Sequence, residues 1–136
     1  AASSARASAS MAAYVEHQGA YGVVVNAPMP NEVIAEIKSV VDIPVIATVV
    51  SDRSDIRGRI EAGTDIFNVS GAAETASIVR HIREQYPHAA IIATGGPTEE
   101  SILETIRAGA NAITITPPTT GELFAGIMHD YREKKL

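Results

Sequence analysis

One self-similarity limits what this chain can fold into more than any other feature. GAYGVVVNAP at 19–28, GTDIFNVSGA at 63–72 and GANAITITPP at 109–118 align with one another. Between them, IPVIATVV at 43–50 aligns with AAIIATGG at 89–96. The period is about 45 residues, and each unit reads strand–helix–strand–helix. Strands that alternate with helices pair in parallel through crossovers, so the expected class is α/β.

The apolar patterning supports that reading. Five runs read as strands: YGVVVN (21–26), PVIATVV (44–50), DIFNVSG (65–71), AAIIATGG (89–96) and NAITITP (111–117). NEVIAEIKSVV (31–41) puts Val33, Ile34, Ile37, Val40 and Val41 on one helical face. ETASIVRHIREQY (74–86) does the same with Ile78, Val79 and Ile82, and ESILETIRA (100–108) with Ile102, Leu103 and Ile106. ELFAGIMHDYREKK (122–135) does so with Leu123, Phe124, Ile127 and Met128, and Thr119 with Glu122 has the spacing of a capping box. Gly19, Gly63 and Gly109 each stand where a helix ends and suit left-handed caps.

The chain therefore reads as one α/β domain over 1–136, with an N-terminal helix at about 4–18 and five βα units from 19 onward. Four strand–helix–strand–helix units close an eight-stranded barrel, so five strands suit a partial TIM (β/α)8-type barrel. The alternative is a flavodoxin-like open parallel sheet of the same strand number. Strand polarity favours the barrel. Val23, Val25, Phe67, Val69, Ile113 and Ile115 are expected to face helices, while Asn26, Asn68, Ser70, Thr114 and Thr116 take the opposite face. Polar residues at the C-terminal end of that face suit a barrel mouth, whereas a doubly covered sheet is apolar on both faces.

Composition narrows the function. Net charge is −5 with only 11 scattered Lys and Arg, and aromatics are 4%. That excludes a basic track or a base-stacking platform, so no nucleic acid partner is expected. The chain has no cysteine, which removes disulfides, thiolate–zinc sites and thiol nucleophiles and suits a cytoplasmic protein. No apolar run is long enough for a membrane span, and AASSARASAS lacks the apolar stretch of a secretory signal. The first methionine is Met11; a processed chain, a leader added before Met11 and a fragment all suit this, and the repeat favours a fragment.

The stretch IIATGGPTEE (91–100) carries the strongest functional signal. Two glycines end a strand just before a helix starts. They serve either a tight turn or a close approach to an anion, for which backbone N–H groups at a helix start are suited. The following strand ends in TPPTT, with Thr116, Thr119 and Thr120 as hydroxyl donors. Glu99 and Glu100 sit in the first helical turn, where acids also offset the helix dipole.

IIATGGPTEESILETIRAGANAITI resembles the seventh and eighth βα units of the ribulose-phosphate-binding barrels. That superfamily includes histidine- and tryptophan-biosynthesis barrels, thiamine phosphate synthase and the keto-deoxy-phosphogluconate aldolases. The resemblance implies that Gly95 and Gly96 present phosphate-binding amides and that Thr116 stands near a second phosphate loop. The chain departs from the pattern at Thr116-Pro117-Pro118, where the family has a small residue and serine; prolines have no N–H to donate. The segment 82–127 is also similar to the last half of response-regulator receiver domains. The third strand ends Val69-Ser70-Gly71 and the fifth Thr116-Pro117-Pro118, so it lacks the phospho-accepting Asp and the Lys such domains use.

Candidate catalytic groups are few. His17, His81 and His129 fall in helices, His88 precedes a strand, and Lys38, Lys134 and Lys135 are helical. Asp52, in VVSDRSD, is the one acid at a strand end and is the candidate general base, although such an Asp also suits helix capping. Asn26, Thr48, Asn68, Ser70 and Thr94 are candidates to orient a polar ligand. No metal-ligand spacing and no cofactor signature is present. The expectation is part of a TIM-barrel-type enzyme (isomerase, lyase or synthase) binding a small phosphorylated molecule, or else a non-catalytic ligand-binding or regulatory module. The unpaired edges of a partial barrel predict a homo-oligomer.

Overall fold

The computed structural model describes residues 2–134. Five strands, β1 (Val23–Val25), β2 (Val45–Val49), β3 (Ile66–Val69), β4 (Ala90–Thr94) and β5 (Ala112–Thr114), alternate with helices. Helix α1 (Ala2–His17) precedes β1. Then come α2 (Asn31–Val40), α3 (Ile56–Glu61), α4 (Thr75–Gln85), α5 (Glu99–Arg107) and α6 (Thr120–Lys134), with a 3-10 turn at Ala72–Glu74. All strand pairs are parallel, and the spatial order is the sequence order, β1-β2-β3-β4-β5. A flavodoxin-like sheet reverses direction at a switch point. This sheet does not, so the open-sheet alternative is set aside.

The core shows which face the helices cover. Val25, Val45, Ala47, Val49, Phe67, Val69, Ile91 and Ala93 are buried, and they pack with Val33, Ile34 and Ile37 of α2 and Ile78, Val79 and Ile82 of α4. Alternate residues point the other way. Register places Val24, Ile46, Ile66 and Ala90 in one row of that second face. Thr48, Asn68, Ile92 and Ala112 form the next row, and Thr94 with Thr114 a third. No described helix seals it: Val24 is 59% exposed. A singly wound sheet with one covered face is a barrel wall, and the uncovered face is its interior.

Two side chains stitch the N-terminal ends of the strands. Asp65 Oδ2 accepts the Val45 N–H (2.8 Å) and meets Lys38 Nζ of α2 at 2.6 Å. Asn111 Oδ1 accepts the Ile91 N–H (2.9 Å) and meets Arg83 of α4 at 2.8 Å. Gly19, Gly63 and Gly109 all have positive φ, as their capping role requires. At the first unit, α1 packs small residues, Ala9 and Ala12, toward α2, and Glu16 Oε1 accepts the N–H groups of Asp42 and Ile43.

Several expected core residues are not in the core. Val40 is 45% exposed, and Val41 is buried from an extended position just after α2. Leu103 and Ile106 of α5 are exposed, and Thr105 takes the buried place, its hydroxyl donating to Ser101 O (2.8 Å). Ile115, Leu123, Phe124 and Ile127 are more than half exposed, and α6 buries none of its described residues. The cause is position: α5, β5 and α6 form the end of the array, with no described neighbour beyond them. The strands are shorter than the apolar runs because pairing stops where the loops begin. Helix α3 lacked a clear apolar face in the sequence, being six residues long with Ile56 as its one buried residue. Lys135 lies outside the described residues.

Candidate functional site

The strands end at one rim, and there the two glycines have separate duties. Gly95 donates its N–H to Thr114 O (3.0 Å), so that amide is consumed by the sheet. A Cβ on Gly95 would lie 2.6 Å from Ile113 Cγ2 and 2.9 Å from Ile102 Cγ1. Gly95 thus permits β5 and α5 to approach β4. Gly96 has φ +77° and makes the turn into α5, and a Cβ there would meet Ser101 Oγ at 2.6 Å. Thr98 and Ser101 form a reciprocal capping box that starts α5. The N–H groups of Gly96, Glu99 and Glu100 donate to no described acceptor and remain at the rim.

A cavity of about 650 Å³ opens at the ends of β4 and β5. Thr94, Thr114 and Thr116 line it with hydroxyls, Gly96 with backbone, and Ile102, Ile115, Pro117 and Pro118 with apolar surface. Of the expected site residues, the structure brings Thr94, Gly96 and Thr116 together here. Gly95 lines a neighbouring cavity of about 320 Å³, toward Ala72, Thr75 and Thr105 between α4 and α5. Asn26, Thr48, Asn68 and Ser70 stand outside the main cavity, on the same open face or at its rim; Thr48 and Asn68 are direct register partners.

Asp52 also lies outside. Its carboxylate is exposed, with Ser51 Oγ 3.4 Å away. The cap of α3 is Asp55, whose Oδ1 accepts the Gly58 N–H (2.9 Å), so the capping role considered for Asp52 goes to its neighbour. Strand β2 is two places from β4, so its end stands about 10 Å from the cavity's near wall. All four histidines are exposed and outside the cavity. Among the described residues no group of three or more His, Cys, Asp or Glu side chains is placed to hold a metal ion.

Two polar lining residues, Thr114 and Glu122, escaped the sequence reading of the site. Thr114 is the register partner of Thr94, and its place on the polar face was its signal. Glu122 looked like a capping residue, and it is one. Its Oε2 accepts the Thr119 N–H (2.7 Å) and hydroxyl (2.8 Å). Those two bonds hold its carboxyl below the usual range, against a small opposing cost of desolvation. Glu122 nevertheless lines the cavity as well. Thr119, expected as a donor to ligand, spends its N–H and hydroxyl on this cap.

Comparison with solved structures identifies the architecture. A designed, cube-shaped porous protein cage built by fusing symmetric oligomeric domains superposes with a TM-score of 0.64 at 17% identity, covering 79% of this chain and 39% of that one. A native KDPGal structure gives 0.63 at 17% identity, covering 80% and 52%. A protein of Burkholderia cenocepacia J2315 assigned as a phosphonomutase gives 0.63 at 17%, covering 93% and 62%. The sheet is part of a TIM-type barrel. The chain spans less than two thirds of the length of each of these proteins. No family profile matches the sequence, and no curated protein matches it. Among the described residues no helix is long and apolar enough to cross a membrane.

Proposed function

We propose that this chain is the phosphate-binding portion of a TIM-barrel-type enzyme acting on a small phosphorylated metabolite, as an isomerase, lyase or synthase. The observation that carries the reading is the cavity at the ends of β4 and β5, lined by Gly96, whose N–H is unspent, and by Thr94, Thr114 and Thr116. Backbone N–H groups at a helix start are suited to phosphate oxygens. Gly95 contributes shape to this site rather than a donor.

Asp52 is the proposed general base, acting from across the mouth on a ligand long enough to reach it. Asn26, Thr48, Asn68 and Ser70 are proposed to orient the body of the substrate on the open face. The uncovered face and the two sheet edges further support a homo-oligomer, and the absence of cysteine suits the cytoplasm. The alternative of a non-catalytic ligand-binding module draws on one observation: the presumed base stands outside the cavity that holds the donors.

The test is a thermal-shift titration with inorganic phosphate, glycerol phosphate and ribose phosphate. Saturable stabilisation that weakens in Thr94→Val and Thr116→Val supports the site. These exposed hydroxyls are better controls than Gly96, where any side chain strains a left-handed turn. No stabilisation of folded protein by any of the three at millimolar concentration overturns the reading.

A further inference from the structure

The charge balance of the cavity is unusual for a phosphate site. Among the described residues, Glu122 is the only ionisable side chain that lines it, and no lysine, arginine or histidine does. A bound phosphate carries up to two negative charges and here would have backbone dipoles and hydroxyls as donors, with a carboxylate beside it. Two like charges at close range cost free energy unless a cation lies between them.

The geometry of Glu122 says which part of the carboxylate is available. Oε2 is taken by the N–H and the hydroxyl of Thr119, at 2.7 and 2.8 Å. No described donor reaches Oε1. The cap therefore fixes the carboxylate in one orientation and leaves Oε1 unspent, on a residue that lines a cavity of about 650 Å³. That volume accommodates a molecule the size of a hexose phosphate. Pro117 and Pro118 close the adjacent wall without contributing an N–H, so that wall offers no compensating donor.

We infer that the ligand is a phosphorylated amine: a compound carrying a protonated amino group that pairs with Glu122 Oε1 while its phosphate takes the Gly96 amide and the threonine hydroxyls of the cavity. This inference rests on the proposed phosphate site and names its substrate class. The ligand's own cation supplies the charge that the protein omits. A hydroxyl in place of the amine leaves the carboxylate facing phosphate uncompensated, so Glu122 acts as a specificity filter. An ammonium suits this place better than a divalent ion, because no cluster of His, Asp or Glu among the described residues stands ready to complete a metal's coordination.

The experiment compares glucosamine 6-phosphate with glucose 6-phosphate, and glucosamine alone, by calorimetric or thermal-shift titration in the presence of a chelator. The same titrations are run on Glu122→Gln, which keeps an acceptor for Thr119 but no charge, with circular dichroism confirming that the variant is folded. The expected result is a preference of about three- to fivefold for the aminated phosphate, the scale of a solvent-exposed ion pair. Glu122→Gln is expected to erase that preference, with glucosamine 6-phosphate weakened and glucose 6-phosphate strengthened as the carboxylate's repulsion is removed. Equal affinity for the two phosphates overturns the amine inference and leaves the phosphate site standing. Binding of glucosamine as tightly as its phosphate overturns the phosphate reading, and the inference with it. A glucose 6-phosphate response that appears only when magnesium replaces the chelator puts a metal ion in the amine's place and also overturns it. No response to any of these compounds sinks both.

Discussion

Asp65 and Asn111 occupy the same place in successive repeats and make the same bond. Each accepts an N–H at the start of the neighbouring strand, Val45 at 2.8 Å and Ile91 at 2.9 Å, and each is braced by a cation from the helix that precedes that strand, Lys38 of α2 or Arg83 of α4. Val45 and Ile91 are fully buried, so an unpaired N–H there is costly. Asp65→Ala and Asn111→Ala should each lose about 1–3 kcal/mol in chemical denaturation. Asp65→Asn should lose less than Asp65→Ala, because it keeps an acceptor and gives up only a partly exposed ion pair. Equal losses for the two Asp65 variants would show that the bond to Val45 does not matter.

The two glycines of the rim should separate in behaviour. Gly95→Ala inserts a methyl against Ile113 and Ile102 and should cost about 1–3 kcal/mol through overpacking. It should not alter phosphate affinity per binding-competent molecule, since the Gly95 amide already serves Thr114 O. A stable Gly95→Ala protein with weakened phosphate binding would contradict the division of duties drawn above.

Thr64→Val should stabilise the protein. The Thr64 hydroxyl oxygen is buried and has no hydrogen-bond partner among the described residues. Replacing it by a methyl of similar size removes an unmet polar group, a gain of about 1 kcal/mol. A drop in melting temperature would mean that the hydroxyl has a partner in solution.

Acid should loosen α6 ahead of the rest. The Glu122 carboxyl is held below its ordinary value by Thr119, so its contribution is complete above the unfolded carboxylate range and fades as pH falls through the lowered folded value. Helix α6 buries no described residue, so little else holds its first turn. Amide exchange by NMR should show α6 opening on acidification from about pH 5 to pH 3 while β2 and β3 stay protected. Thr119→Ala should open α6 at neutral pH, with a small effect on the main unfolding transition. Cooperative loss of α6 together with the sheet would refute this.

Self-association is expected. The sheet leaves one edge of β1 and one of β5 unpaired, and Leu123, Phe124 and Ile127 are exposed. Light scattering across a concentration series should show species larger than a monomer, diminished in Phe124→Glu with Ile127→Glu. A monodisperse monomer at high concentration would count against the homo-oligomer.

The repeat made the fold legible, because its alternation of strand and helix leaves few topologies, and Val25, Phe67 and Val69 point where their alternation says. The one-sidedness of the sheet was hinted at by Asn68 and Ser70 and became definite only with the sequential strand order. Leu103, Ile106 and the apolar side of α6 misled, since a stripe of isoleucine and leucine records that a helix is fit to be covered and not that its cover is at hand. The candidate site was half legible. Gly96 and Thr116 stood out through their chemistry, while Glu122 was hidden by its other employment as a helix cap. Asp52 drew attention as the only acid at a strand end, a criterion blind to which strand ends adjoin the cavity.

A sheet whose order in space equals its order in sequence has no strand wedged in after its neighbours. Each new βα unit lies down beside the last, so the wall lengthens without any earlier contact being dismantled. Such an arc is modular: units can be appended or exchanged at its margins as bricks are added to a curved course of masonry. The rim cavity, being built by β4, β5 and the turns that follow them, travels as a cassette with those two units.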